Sequence, residues 1–215
     1  HFRAAIDDYN IGISINPNYA EALYNRGLAR QEIQELDAAI ADYTSAISIR
    51  PTSSKMFNNR GIAWQEIKQF NNAMSDYERA LSIDPDYSEA HNNLGTLCRE
   101  MNLLEKALNH YNDAIFFDPT SANAFYNRGI TLQKLNLASE ALNDFEQALA
   151  INPEYAEAYN NRGVILSELG YVIKAIKDFD SALALQANYA EALANRSSAY
   201  HELDKLDNAL HDLNK

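Results

Sequence analysis

Every proline in this chain stands 34 residues from the next: Pro17, Pro51, Pro85, Pro119 and Pro153. Five of the seven glycines keep the same step, at Gly27, Gly61, Gly95, Gly129 and Gly163. An alanine does so at Ala5, Ala39, Ala73, Ala107, Ala141, Ala175 and Ala209. A fixed period of this length means one supersecondary unit stacked on copies of itself, because so small a unit cannot bury its apolar face alone. The 215 residues are therefore expected to form one quasi-linear body rather than one or two globular domains.

Within a unit the apolar spacing is helical. From Ala20 to about Ile33, Leu23, Gly27, Arg30 and Ile33 share a face, and from Asp37 to Ile49 Ile40, Tyr43 and Ile47 do the same. Gln34, Glu35 and Leu36 read as the turn, and Pro51 follows the second helix, which it cannot continue. The unit is a helical hairpin. Glycine inside a helix costs about 1 kcal/mol relative to alanine, so its return at one station implies another backbone close by. Ala39 and Ala46 open the facing helix, while Tyr43, Tyr77, Tyr111, Phe145 and Phe179 fill the remaining space.

This order of leucine or aromatic, glycine, alanine, aromatic, alanine and proline resembles the tetratricopeptide repeat. The second unit reads Phe57, Gly61, Trp64, Ala73, Tyr77, Ala80, Pro85. The resemblance covers essentially the whole chain. It implies an all-α, right-handed superhelical solenoid of antiparallel helix pairs whose first helices line a concave groove. The expected organisation is a single solenoid: a partial unit at 1–19, full units at 20–53, 54–87, 88–121, 122–155 and 156–189, and a partial unit at 190–215. The sixth unit departs from the pattern, with Ser197 at the glycine station and Ala187 at the proline station. The chain opens and stops inside second helices without polar caps, so it reads as a piece of a longer protein.

Two positions change together. Arg26, Arg60, Arg128, Arg162 and Arg196 precede the glycine station, and sixteen residues later stand Asp42, Asp76, Asp144, Asp178 and Asp212. The third unit has Leu94 and His110 instead. Joint exchange predicts an arginine–aspartate bridge inside each hairpin, and a ligand-binding arginine row is the lesser reading.

The strictest polar position is an asparagine, at Asn25, Asn59, Asn93, Asn127, Asn161 and Asn195. An amide offers both donor and acceptor, which matches one peptide unit of an extended chain. A similar ladder contacts bound peptide in the superhelical repeat arm of O-linked N-acetylglucosamine transferases. The other reading is that each amide ties its own helix to the next. Flanking groove positions are Tyr24, Asn58, Asn92, Tyr126 and Asn160, with aliphatic neighbours and an acidic margin that includes Glu66 and Glu100. The expected ligand is an extended, neutral or basic protein segment. The lysines of carboxylate-clamp members are replaced here by residues such as Tyr24 and Leu28, which argues against capture of chaperone tails.

A net charge of −12 argues against nucleic acid, whose phosphates call for a basic stripe. No apolar run approaches the roughly 20 residues of a membrane span. The single cysteine, Cys98, leaves no internal disulfide and suits a reducing, cytoplasmic setting. Neither a phosphate loop nor a nucleophile with a base is present, so no enzyme chemistry and no cofactor are expected. His91, Cys98 and His110 share the third unit, but His91 and Cys98 are about 10 Å apart along one helix. They read as core packing, and no metal site is expected. Two further readings are a substrate-selecting arm of a larger enzyme, such as a glycosyltransferase, and end-to-end self-association through apolar faces.

Overall fold

A computed structural model describes residues 1–213. Among them are thirteen α-helices and no strand. The helices are α1 (Phe2–Ile15), α2 (Ala20–Glu32), α3 (Leu36–Ile49), α4 (Ser54–Glu66), α5 (Phe70–Ile83), α6 (Ser88–Glu100) and α7 (Leu104–Phe117). They continue as α8 (Ala122–Lys134), α9 (Ala138–Ile151), α10 (Ala156–Glu168), α11 (Val172–Leu185), α12 (Ala190–Glu202) and α13 (Leu206–Leu213). The chain divides into two compact units, His1–Phe117 with α1 to α7 and Asp118–Lys215 with α8 to α13.

Both units are built alike. Each first helix packs on the second helix of its own hairpin, and that helix packs on the first helix of the next. First helices also meet first helices, α2 on α4 and α4 on α6 in one unit, α8 on α10 and α10 on α12 in the other. This is the stacked arrangement of an all-helical repeat fold, in which each hairpin completes the core of its neighbour.

The turn inside each hairpin is one device used six times. At Gln34, Lys68, Asn102, Asn136 and Asp204 φ is between 56° and 62°, and at Gly170 it is 80°. The amide of Glu35 donates to the carbonyl of Arg30 at 2.9 Å and that of Gln34 to Gln31 at 2.9 Å. This pair of bonds satisfies carbonyls that the ending helix leaves open, as a Schellman cap does. The turn therefore lies at Ile33–Glu35, and Leu36, expected in it, opens α3.

The glycine station has a different cause from the expected one. A Cβ added to Gly27 would lie 2.7 Å from Cε1 of Tyr43, and one added to Gly163 would lie 2.6 Å from Cε1 of Phe179. The close neighbour is the ring sixteen residues on, not a backbone. All five rings are essentially closed to solvent. Ser197 fits the same rule, because the residue sixteen positions after it is Leu213, 67% exposed and without a ring. Its hydroxyl instead donates to the carbonyl of Ala209 at 2.9 Å.

Candidate functional site

The six asparagines fall at one station on the first helices α2, α4, α6, α8, α10 and α12, each partly exposed. The amide nitrogens of four of them reach back one hairpin. Nδ2 of Asn59 donates to the Tyr24 hydroxyl at 2.6 Å, and Nδ2 of Asn93 to Oδ1 of Asn58 at 3.0 Å. In the second unit Asn161 donates to the Tyr126 hydroxyl at 3.1 Å and Asn195 to Oδ1 of Asn160 at 2.9 Å. Each bond spans 35 residues, so the position before one asparagine is the acceptor for the next. Tyr24 and Tyr126, or Asn58 and Asn160, serve equally there because either side chain offers an oxygen that accepts the bond.

The row thus ties helix to helix. That leaves each bonded amide one N–H and an oxygen with spare capacity. Asn58 and Asn160, expected on the groove surface, have no exposed area and serve as acceptors beneath it. Asn92, Tyr24 and Tyr126 are half-buried. Burial, aided by the charge of Glu89, holds the Tyr24 phenol above its ordinary range, so it remains a neutral hydroxyl at physiological pH.

A cavity of about 580 Å³ opens in the first unit beside this row. Ile62, Phe70, Asn93, Thr96, Glu66 and Glu100 are among the residues that line it. Glu66 accepts from Nε2 of Gln31 at 2.6 Å, and Oε1 of Gln31 accepts from the Tyr43 hydroxyl at 2.9 Å. The wall combines apolar side chains, amides, the held carboxylate of Glu66, the exposed carboxylate of Glu100 and the ammonium of Lys68, a mixed surface that suits an extended peptide segment.

The arginines are committed elsewhere. Nε of Arg60 donates to Oδ2 of Asp76 at 2.7 Å and Nη2 to Oδ1 at 2.7 Å, a fork that recurs from Arg26–Asp42 to Arg196–Asp212. The aspartates are buried. The third guanidinium nitrogen crosses to the preceding hairpin: Nη1 of Arg26 donates to Asn10, that of Arg60 to Thr44 and that of Arg196 to Asp180. Sequence reasoning missed this contact, because the acceptor sits at a constant spacing but changes residue type.

The third hairpin differs as the joint exchange implies, with Leu94 buried where an arginine stands elsewhere. It also holds a group that the sequence reading set aside. His91 and His110 bring their Nδ1 atoms within 3.4 Å, and Asp113 lies beside them. Cys98 is buried in the core with Leu94, Leu97 and Tyr111, apart from this group.

Family models described as tetratricopeptide repeat match residues 20–53, 54–87, 76–109 and 156–189, and one described as TPR repeat matches 95–136 and 139–170. No curated protein sequence matches the chain at a significant level. Among solved structures, PilF of Pseudomonas aeruginosa aligns with a TM-score of 0.83 at 19% identity, over 90% of this chain and 88% of that one. PilW, described as a widely conserved type IV pilus biogenesis factor, gives 0.82 at 22% over 90% of each. YrrB, described as a TPR protein with an unusual peptide-binding site, gives 0.64 at 22% over 86% of this chain and 95% of that one. At such identities the likeness is one of fold.

Proposed function

The chain belongs to the tetratricopeptide repeat family, and on that premise we propose that it is a non-enzymatic scaffold that binds an extended protein segment on the asparagine-bearing faces of its first helices. The observation that carries this reading is the 580 Å³ cavity of the first unit, whose lining brings Asn93 and Thr96 together with Ile62, Phe70, Glu66 and Glu100. Asn93 has one N–H committed to Asn58 and keeps a second N–H and Oδ1 for a ligand backbone. Each such contact is worth only about 0.5–1.5 kcal/mol net, so several rungs must act together. The ligand is a peptide of neutral or basic character, favoured by the acidic margin and the net charge of −12. Among the described residues no helix is long and apolar enough to cross a membrane.

The test is selection of peptides from a random library on the purified chain, followed by measurement of the selected sequences against variants. Thr96→Lys and Ile62→Lys put a cation into the cavity wall, against a neutral or basic segment, without touching the amide bonds between helices. Both are expected to weaken binding at least tenfold while the melting temperature stays within a few degrees. Peptides that bind both variants as well as the wild type would place the ligand elsewhere and refute the reading.

A second reading has its own observation. Helix α13 exposes Leu206 and Leu210 at 54% and 58%, beside a 540 Å³ cavity lined by Ser198 and His201. Such an apolar face supports self-association, which would show as a sedimentation coefficient that rises with concentration and falls back in Leu206→Glu, Leu210→Glu protein.

A further inference from the structure

In the third hairpin, formed by α6 and α7, His110 stands where other hairpins place an aspartate clamped by arginine. His91 of α6 occupies the adjoining space and is buried. Its Nε2 lies 3.0 Å from the carbonyl oxygen of Pro85. A carbonyl only accepts, so Nε2 carries the proton and Nδ1 of the neutral ring presents a lone pair. That lone pair faces Nδ1 of His110 at 3.4 Å. Asp113, three residues further along α7, places Oδ2 3.7 Å from Nδ1 of His91. The three ligand atoms all lie within 4.8 Å of one another.

A tetrahedral metal imposes the separation seen between the two imidazole nitrogens, and the carboxylate of the half-exposed Asp113 closes on it by a turn of its side chain. Two imidazole nitrogens about 2.05 Å from zinc stand about 3.3–3.4 Å apart. A hydrogen bond between the rings accounts for the geometry less well, because 3.4 Å lies beyond the usual 2.7–3.2 Å of such bonds. We propose that Nδ1 of His91, Nδ1 of His110 and a carboxylate oxygen of Asp113 bind one divalent transition-metal ion of the zinc type, with water in the fourth position.

Imidazole and carboxylate ligands suit this class of ion, and three protein ligands with an open fourth position are a known tetrahedral set. The Pro85 carbonyl supplies the outer hydrogen bond that fixes the tautomer of a ligating histidine. Phe117 stacks on His91 with centroids 5.6 Å apart and holds the ring plane. On binding, His110 carries its proton on Nε2, the tautomer that frees Nδ1, and no net proton is released. Asp113 is half exposed and gives the ion a route from solvent. The bound ion would bridge α6 to α7 in the one full hairpin without an arginine–aspartate fork.

The experiment titrates ZnCl2 into the metal-free full chain, read by calorimetry and by thermal unfolding. One equivalent should bind, and at a hundredfold excess over Kd the melting temperature should rise by about 5 °C. His91→Gln should weaken binding at least tenfold. Leu94→Arg with His110→Asp installs the fork of the other hairpins, so it should stay folded and lose the zinc response. No zinc response in the wild type overturns the proposal. Undiminished binding by the double variant also does so, because the ion would then sit on other residues.

Discussion

Gly163→Ala sets two effects of opposite sign against each other. Alanine is the better helix former by about 1 kcal/mol in a helix interior, so on α10 alone the change would stabilise. The new methyl, however, would stand 2.6 Å from Cε1 of Phe179 and 3.0 Å from Cδ1 and Cζ. Carbon atoms prefer about 3.5–4.0 Å, so the ring must retreat by about 1 Å. It has little room, since Phe179 is 1% exposed and packs with Val172, Ala175, Ile176 and Ala199. Overpacking of this kind costs about 1–3 kcal/mol, and three close atoms place it at the upper end. The net expectation is a loss of about 2 kcal/mol. Phe179→Leu should remove the obstacle, as the sixth hairpin does with Ser197 facing Leu213. The double variant should then lose at least 1 kcal/mol less than the sum of the singles. Urea titration followed by circular dichroism measures all three. A gain of about 1 kcal/mol in the single variant would show that the ring does not set the glycine, and would refute the reasoning.

Arg60→Leu leaves the buried carboxylate of Asp76 without its fork and should cost about 3 kcal/mol, while adding Asp76→His, which copies Leu94 and His110, should recover part of it. Equal denaturation midpoints for wild type and single variant would contradict this. Lys68→Gly relieves a left-handed backbone at φ 60° and should gain about 0.5–1 kcal/mol, whereas Gly170→Ala should lose about as much, both read from thermal unfolding. Asn93→Ala strands Oδ1 of the fully buried Asn58 and should cost about 1–3 kcal/mol by urea titration before any ligand is added.

The helical hairpins were legible because a 34-residue period and a helical apolar spacing are both local patterns. The arginine–aspartate fork was legible for another reason: Leu94 and His110 break the pattern together, which marks two positions as touching. The left-handed turn was not legible. Gln34 and Lys68 carry no preference for that conformation, and only Gly170, Asn102, Asn136 and Asp204 hint at it. The capping hydrogen bonds impose the conformation whatever the side chain. The glycine station was read as meeting a backbone because a spacing of sixteen residues does not reveal which atom arrives. The double duty of the asparagines was weighed, but that Asn58 and Asn160 lie wholly beneath the surface depends on the angle between first helices. Asp113 lies three residues from His110 on α7, a spacing that puts both on one face, but His91 belongs to α6, so its approach follows from hairpin geometry.

The reach of each bond along the chain has a genetic consequence. The arginine fork, the glycine–ring contact and the histidine pair all close at spacings under 20 residues, inside a single hairpin. A coding segment for 34 residues, duplicated or lost in frame, therefore carries its own ion pair, or its own substitute for one, into the product. The asparagine amide and the third nitrogen of the arginine find their partners in a different copy, and both are tolerant. The amide bonds a phenol or another amide, and the guanidinium bonds Asn10, Thr44 or Asp180. Hairpins of this sequence can be shuffled by recombination without any compensating change at the junction, so chain length can drift by whole repeats while each copy keeps its internal fit.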